Sequence, residues 1–355
     1  MSSQQKKLQY LKKTLLTLLK IGISAAIIAY LVYDATRTEA EENVFTTLLS
    51  QPKQWDMLFL AWACCTLAVL LTFVRWWYLV RALDIPCGLN EALGISFWGY
   101  LFNLAPLGIV GGDVLKAVML AHRQPSHRAK AVASVLADRV IGLYLLFVVA
   151  SAGILFSGLW HVFDADVRWI CKLTFLLTIA GGVVLALMSA YRLDEELLTR
   201  WCTLIPKLGR PLESLIRAVW LYRDRPMVLT VSSVMSIGVH ALFACGCYFI
   251  ARGLPGNYLS LAQHFVVMPL SSAAGVLPLP LGPFEFVLEY LYTHVPVAGP
   301  AIAVGQGLVV ALAYRLITVL IAGLGVCYYF GERTEYSQAV QVEATASGNQ
   351  PVSGK

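Results

Sequence analysis

Long apolar runs without a charged side chain dominate this sequence. Four of them cover residues 57–74, 141–163, 173–191 and 227–251. A helix needs about 20 such residues to cross the hydrocarbon core of a bilayer. Only 14% of the 355 residues are charged, whereas soluble chains carry about 25%. Because helices satisfy their own backbone hydrogen bonds in lipid, the sequence predicts an all-α polytopic membrane protein.

The apolar pattern divides the chain into six full spans and two interrupted segments. The predicted spans are 14–33, 57–80, 131–158, 169–190, 227–251 and 301–330. The interrupted segments are 92–120 and 260–296, which contain proline and glycine within otherwise apolar sequence. A basic N-terminus, 1–13, precedes the membrane region of 14–332. The polar tail, 333–355, has the composition of a disordered segment.

Both interrupted segments contain helix breakers followed by an acid. Pro106 precedes Asp113, and Pro278 precedes Glu285 at the same spacing. Further breakers in these stretches are Gly111, Gly112, Pro280, Gly282 and Pro283. Such residues release backbone groups that lipid cannot satisfy, so the segments should be buried in protein or line a wet cavity.

Loop charge places the two interrupted segments on opposite sides of the membrane. Lysine and arginine concentrate in cytoplasmic loops, and a cytoplasmic N-terminus puts most of the 27 basic residues on that side. Segment 92–120 then dips from the cytoplasm and segment 260–296 from the outside. The chain would contain inverted repeats, about 57–158 and 227–330, joined by the span 169–190. The alternatives for each segment are two short full crossings or one kinked helix.

Two regions are predicted to lie at the membrane surface. Segment 191–226 alternates apolar and charged residues, which fits two short amphipathic helices on the cytoplasmic face. The alternative is a loop that packs on the protein. The aromatic run Trp76-Trp77-Tyr78, next to Arg75, is typical of an interfacial belt. Topology therefore explains the net charge of +6 without a nucleic-acid partner.

Arginines follow both interrupted segments and are candidates for binding an anion. Arg139 and Arg315 lie within apolar spans, where insertion of arginine costs about 2.5–3.5 kcal/mol and the side chain usually faces the bundle interior. A guanidinium group binds phosphate in a bidentate manner. The functional interpretation is contact with a lipid phosphate or with Asp113, Glu285 or Asp138. The structural interpretation is a static ion pair that locks the repeats together.

The acids and glycines complete the candidate substrate-binding site. A second half-helix is predicted to begin at Gly111-Gly112, with Asp113 near its N-terminus. The N–H groups near Gly112 and Gly282 would carry partial positive charge and suit an anion. Asp113 or Glu285 could instead cap its helix. Lys116 lies on the same helix face as Asp113, where it would neutralise that acid or contact a headgroup.

The sequence contains no clear motif for a metal site, a redox site or an enzyme active site. The eight cysteines are scattered and lack metal or redox spacing. The sequence contains neither a phosphate-binding loop nor a nucleophile elbow. His240 and His264 are interpreted as hydrogen-bonded packing residues. We therefore predict no catalytic residue, metal or cofactor, although Asp113 and Asp138 could serve as acid and base in a membrane transferase.

These motifs resemble the flippase-like transmembrane domain of lysylphosphatidylglycerol synthases over roughly residues 10–332. The matching stretches are Asn103–Pro106, Gly111–Asp113 and Ala133–Arg139 in the first half, and Pro278–Glu285 and Ala311–Arg315 in the second. The second motif departs from the family pattern, because Leu279, Pro280 and Pro283 occupy positions where more glycine is expected.

The resemblance implies movement of an aminoacylated or glycosylated anionic lipid between leaflets. Full-length synthases add an aminoacyltransferase domain, whereas this sequence ends at Lys355, so we expect it to lack that activity. Membrane lipids are the expected partners, and a separately encoded lipid-modifying enzyme would fit. The expected location is the bacterial plasma (inner) membrane, with both termini cytoplasmic. The alternatives are a membrane-embedded transferase acting on a lipid-phosphate carrier and a non-transporting assembly subunit.

Overall fold

Helices, including two short 3₁₀ turns, form all the regular secondary structure of the described residues, which are 3–37, 44–104, 109–162, 164–190, 209–277, 279, 281–297 and 299–325 of this computed structural model. The α-helices are α1 (Ser3–Arg37), α2 (Val44–Ser50), α3 (Trp55–Ala82), α4 (Leu89–Leu104), α5 (Ile109–Arg123), α6 (Arg128–Ser157), α7 (Ala165–Ala190), α8 (Gly209–Arg223), α9 (Pro226–Gly253), α10 (Leu261–Ala274), α11 (Pro283–His294) and α12 (Gln306–Gly325). The predicted all-α class is confirmed. The predicted breakers Pro106, Pro278 and Pro280 lie outside the described residues, as does the tail.

Within the described residues, six helices are long and apolar enough to cross a bilayer, at the positions that the sequence predicts. They are α1 from Leu18 onward, α3, α6 with the turn before it, α7, α9 and α12. Large apolar side chains remain exposed on their outer faces, for example Phe156, Leu176 and Val234. Exposed apolar surface of this extent would be unfavourable in water. It fits contact with lipid.

Each interrupted segment forms two short helices that pack against each other. The first hairpin consists of α4 and α5, and the second hairpin consists of α10 and α11. Helix α4 has 16 residues and α11 has 12, so they are about 24 and 18 Å long. The hydrocarbon core is about 30 Å thick. Single kinked helices are excluded by the helix packing, and the short lengths favour half-helices over full crossings.

Each hairpin also packs against the closing span of the other half of the chain. Helix α10 lies along α6, where Gly153 faces the backbone of Phe265. In the reciprocal contact, Gly325 of α12 faces Phe97 of α4 so closely that a Cβ would overlap the ring. Among the helices between Ser3 and His294 that the structure describes, α3 and α9 share an extensive interface. The two hairpins therefore lie inside the bundle, between the halves.

Helix α8 packs on the protein. Ala218 and Tyr222 are fully buried, and the Tyr222 hydroxyl donates to the Leu79 carbonyl at 2.9 Å. The Trp220 indole donates to the Met188 carbonyl at 3.1 Å. Residues 209–223 therefore form a helix, as the first interpretation predicted, and this helix packs on the protein, as the alternative predicted. Residues 191–208 lie outside the described part of the chain.

Candidate functional site

An ion pair joins the first hairpin to the span that follows it. Arg139 Nη2 of α6 donates to Asp113 Oδ1 of α5 at 2.6 Å, and Arg139 Nε contacts the second carboxylate oxygen. The contact is bidentate, which is the strongest geometry for this pair of groups. The Arg139 side chain is 44% exposed and that of Asp113 is 16% exposed. The pair therefore borders an accessible region.

A second ion pair has the same relation to the second hairpin. Arg315 Nε of α12 donates to Glu285 Oε1 of α11 at 2.7 Å. Here the acid is fully buried, and the arginine side chain is 29% exposed. The Arg315 guanidinium also lies over the Phe284 ring, 5.2 Å from its centroid. Both halves thus place an acid after the break in contact with an arginine of the next span.

The first of these half-helices begins earlier than the sequence suggested. Helix α5 starts at Ile109, so Gly111 and Gly112 lie within it and Asp113 lies in its second turn. A capping residue lies outside the first turn, so Asp113 is not a cap. The predicted start at Gly111-Gly112 was therefore wrong by two residues, and Gly112 lies in a close contact between helices instead.

Gly112 allows the two helices of the first hairpin to approach closely. A Cβ at this position would overlap the Gly99 carbonyl and the Asn103 side chain of α4. The Gly112 N–H donates to Asn103 Oδ1 at 3.0 Å. Asn103 therefore holds α5 against α4 through a hydrogen bond that any larger residue at 112 would disrupt.

The second half-helix begins with a different local structure. Gly282 is its N-cap with φ 112°, and Pro283 occupies the first turn. Glycine suits this φ because it has no Cβ. The Gly282 N–H donates to Glu285 Oε2 at 2.7 Å, so Glu285 caps its helix and also pairs with Arg315.

The backbone N–H groups predicted to receive an anion already have acceptors. Gly112 is bonded to Asn103 and Gly282 is bonded to Glu285. A phosphate group could bind either N–H only by replacing its present acceptor. In this conformation the N–H groups of Gly112 and Gly282 are therefore not free to bind an anion.

A third ion pair lies at the junction of three spans. Arg75 Nε of α3 donates to Asp138 Oδ1 of α6 at 2.8 Å, and the Arg75 guanidinium also contacts the Ser236 hydroxyl of α9. The two charged side chains are 5% and 8% exposed. The interfacial assignment of Arg75-Trp76 was therefore wrong, since both residues are buried. Buried charges require such pairing, because an isolated one is strongly destabilising.

Lys116 points into the bundle. The residue is 6% exposed, and its Nζ lies 5.4 Å from the ring centroids of both Phe73 and Trp76. Its stem crosses α4 at Gly99, where a Cβ would lie 2.8 Å from Lys116 Cγ. Among the described residues, no carboxylate oxygen lies within 4.0 Å of Nζ. Arg139, rather than Lys116, is the direct partner of Asp113.

Aromatic rings beside the cations of the two hairpins belong to one apolar cluster. Phe73, beneath Lys116, makes edge contacts with Phe97 and Tyr100 at centroid distances of 4.9 and 6.1 Å. Phe284, beneath Arg315, stacks on Tyr314 at 5.3 Å. We call these five rings the aromatic layer.

A family model described as the lysylphosphatidylglycerol synthase TM region matches residues 17–325. The chain belongs to this family. The matched residues include both hairpins and all three ion pairs, so the resemblance inferred from the motifs is confirmed. Membership, together with six apolar helices, identifies an integral membrane protein related to lipid modification or flipping. A comparison with curated proteins gave no match.

Two polar groups in the second half of this family member have structural partners. Glu289 of α11, which sequence reasoning missed, accepts from the N–H groups of Gly305 at 2.6 Å and Leu308 at 2.8 Å. It therefore caps α12. His264 contacts the Ser260 carbonyl and the Tyr292 hydroxyl, the latter at 2.6 Å. This arrangement agrees with the prediction that His264 is a packing residue.

The other predicted packing histidine is also bonded within the bundle. His240 Nε2 of α9 lies 2.9 Å from the Gly142 carbonyl of α6. In the part of the chain that the structure describes, histidine, cysteine and acidic side chains form no group that could hold a metal ion. The described cysteines are free.

Proposed function

We propose that the chain is a lipid flippase, which moves a lipid with an anionic headgroup between leaflets. The headgroup would include lipids that carry an aminoacyl or glycosyl substituent. The observation that carries the proposal is the repeated ion pair, Asp113–Arg139 and Glu285–Arg315. Ionisable residues inside a membrane are costly and usually mark a pathway. Their presence at corresponding positions of two hairpins favours a shared substrate route over two independent braces.

The order of elements supports inverted repeats. Each proposed unit contains a span, a hairpin and a second span, namely α3 to α6 and α9 to α12. With a cytoplasmic N-terminus, the first hairpin dips from the cytoplasm and the second from the outside. Transporters commonly combine such repeats with broken helices near the bilayer midplane. The packing of each hairpin on the other unit supports a site between them.

In this mechanism the headgroup phosphate exchanges places with a carboxylate. Arg139 is the more exposed arginine, so it would be the first to meet a lipid from the side of the first hairpin. Asp113 holds the empty guanidinium in position and could then contact a cationic substituent of the headgroup. Passage through the aromatic layer would bring the phosphate to Arg315, where Glu285 has the corresponding role.

An apolar groove offers a surface for the acyl chains. It has a volume of about 490 Å³ and lies between α6, α9 and α10. Among its lining residues are Val149, Phe156, Ile237 and Phe265. Acyl chains could remain in this apolar region while the headgroup passes between the hairpins.

Leaflet exchange in proteoliposomes tests the proposal. Fluorescent phosphatidylglycerol would be the probe, with dithionite bleaching of the outer leaflet as the readout. Arg139→Ala and Arg315→Ala should each lower the exchange rate by about tenfold or more, which corresponds to losing one good charged contact. Arg252→Ala, at an exposed helix end, is the matched control. Folded variants that exchange lipid at the wild-type rate would reject the site.

We also propose that the chain does not itself catalyse a transfer reaction. Asp113 and Asp138, the carboxylates available for acid–base chemistry, are each bonded to an arginine. A separately encoded enzyme would then modify the lipid. Mass spectrometry of lipids incubated with purified protein and aminoacyl or glycosyl donors should show no new covalent product. A product formed by wild type and lost in Asp138→Asn would instead favour a transferase.

A further inference from the structure

The first hairpin contains a buried cation that has no acid of its own. Lys116 Nζ lies over Phe73 and Trp76 rather than beside a carboxylate. The acids whose charge acts on it are Asp138 and Asp113. Each of these acids already makes a direct ion pair, with Arg75 and Arg139 respectively. Contact with aromatic faces favours a cation, but it does not neutralise the charge.

When Lys116 is protonated, the charged groups around it leave an excess of one positive charge. The cations are Arg75, Lys116 and Arg139, and the anions are Asp113 and Asp138. Removing an uncompensated ion from water is unfavourable. The cluster would therefore be more stable with one bound anion of single charge.

A further polar group beside Lys116 has no hydrogen-bond partner. Among the described residues, the indole Nε1 of Trp76 is buried without one. The Trp76 ring centroid lies 5.4 Å from the Lys116 ammonium. An ammonium and an indole N–H can both donate, which suits an anion with several oxygens.

We infer that Lys116 is the central residue of a phosphodiester-binding site, formed with Trp76 of α3 where that helix faces the first hairpin. The inference rests on the proposed function and identifies the class of headgroup that it moves. A phosphodiester carries one negative charge and balances the cluster. A phosphomonoester carries about 1.5 to 2 negative charges near neutral pH, which would leave the buried site negative.

This assignment separates the roles of the cations. Arg139 and Arg75 are held by their acids, whereas Lys116 can receive phosphate without breaking an ion pair. A structural lysine would instead stabilise the empty protein. Lys116→Met keeps an unbranched apolar stem across Gly99 and removes the charge. The variant should therefore melt at a higher temperature than wild type when no lipid is added, while it loses affinity for the anion.

Binding of short-chain lipids to the full-length protein in neutral detergent tests the site. Dihexanoyl phosphatidylglycerol supplies a phosphodiester, dihexanoyl phosphatidate a phosphomonoester and dihexanoylglycerol no phosphate. Wild type should bind the phosphodiester about tenfold more tightly than the monoester. Lys116→Met should weaken phosphodiester binding by about tenfold or more, and Trp76→Phe should weaken it less. Lys172→Met, which removes an exposed lysine, should bind as wild type does.

Soluble probes distinguish a lipid headgroup from a free anion. If glycerophosphoglycerol binds as tightly as the lipid, the phosphodiester assignment stands and the ligand is free. If it binds much more weakly, the ligand is the lipid. Inorganic phosphate preferred over both would overturn the assignment. So would wild-type binding by Lys116→Met, or a lower melting temperature of that variant with its lipid affinity unchanged.

The binding result is independent of the transport result. Absence of leaflet exchange by wild type would reject the flippase proposal, while loss of phosphodiester binding in Lys116→Met would still support the site. Conversely, exchange that requires Arg139 and Arg315 but tolerates Lys116→Met with unchanged affinity would reject the site and leave the flippase proposal standing.

Discussion

The first and second hairpins have equivalent acid–arginine pairs but surround them differently. In the first, the carboxylate of Asp113 is bonded to Arg139 through both oxygens, and the backbone N–H of Gly112 has its own acceptor in Asn103. In the second, Glu285 accepts a hydrogen bond from Arg315 through one oxygen and from the Gly282 N–H, at the start of its own helix, through the other. The first pair can open without disturbing a helix start, whereas the second cannot.

The N-terminal helix adds to this difference. Helix α1 covers the second hairpin, where Ile27 lies against Gly282 and the Leu281 N–H faces the Ser24 hydroxyl at 3.4 Å. Among the described contacts between helices, α1 has no comparable interface with the first hairpin. This conformation therefore leaves the first pair accessible and the second pair covered.

The duplication also does not extend to the neighbouring charges. Three residues after Asp113 lies Lys116, whereas three residues after Glu285 lies the fully buried Leu288. The other acid of the second hairpin, Glu289, accepts from backbone N–H groups. Among the described residues of the two hairpins, the buried cation without a direct carboxylate partner is Lys116 of the first.

The largest effect is expected from removing the covered acid. Glu285→Gln leaves Arg315 without a counter-ion and weakens the cap at Gly282. Breaking a buried pair on one side costs about 3 kcal/mol, at the lower end of the range because Arg315 retains some solvent contact. The free energy of unfolding in mixed micelles measures this loss. The double variant with Arg315→Met should recover much of it, and a single variant as stable as wild type would contradict the comparison.

The sequence predicts most of the membrane architecture for a simple physical reason. Uninterrupted apolar runs have few alternatives to a span, and proline with glycine inside such a run marks a break. The pairing of Arg139 with an acid could also be predicted from the sequence, because isolated charges inside a bundle are unfavourable. The repeated order of a helix break, an acid and an arginine in the next span was therefore enough to predict that the two hairpins correspond.

The remaining features depend on contacts between distant residues. Arg75 beside three aromatic residues has the pattern of an interfacial belt, and only Asp138 and Ser236 explain its burial. Lys116 is directed inward because α4 has a glycine at position 99. The sequence spacing suggested instead that Lys116 contacts Asp113. Helix periodicity shows which residues share a helix face, but it does not show how closely α4 approaches α5.

A smaller effect is expected from the close contact between the two helices of the first hairpin. Gly112→Ala would place a methyl group against Gly99 and Asn103 and force α4 and α5 apart. Overpacking of this kind typically costs about 1–3 kcal/mol. Unfolding in mixed micelles measures the change. Gly323→Ala is the control, because nothing lies within 4 Å of a Cβ there, and equal behaviour of the two variants would argue against a packing role for Gly112.

Removal of the accessible acid should cost less than removal of the covered one. Asp113→Asn keeps the size of the side chain and removes the charge opposite Arg139. Since Arg139 is 44% exposed, solvent compensates much of the loss, and about 1 kcal/mol or less is expected. The same unfolding measurement compares it directly with Glu285→Gln. If the two variants were equally destabilised, unequal coverage by α1 would not distinguish the hairpins.

The smallest effect is expected for an ion pair outside both hairpins. Arg225 Nη2 donates to Asp84 Oδ2 at 2.9 Å, and this hydrogen bond lowers the pKa of Asp84. A lowered folded-state pKa gives stability that is present above the unfolded pKa, near 3.9, and is lost as pH falls through the folded value. Because the group is fully exposed, Asp84→Asn should leave the melting temperature at pH 7 unchanged within error.

Asp84 is a suitable reference because its backbone permits the substitution. Its φ is 61°, a left-handed conformation that asparagine also tolerates, so Asp84→Asn tests the charge alone. Melting temperatures of the wild type and of Asp84→Asn should agree within error from pH 7 to pH 3. If Asp84→Asn destabilised the protein at pH 7 as much as Asp113→Asn does, the Asp113–Arg139 pair would be no stronger than a surface pair. Its proposed role would then rest on ligand exchange alone.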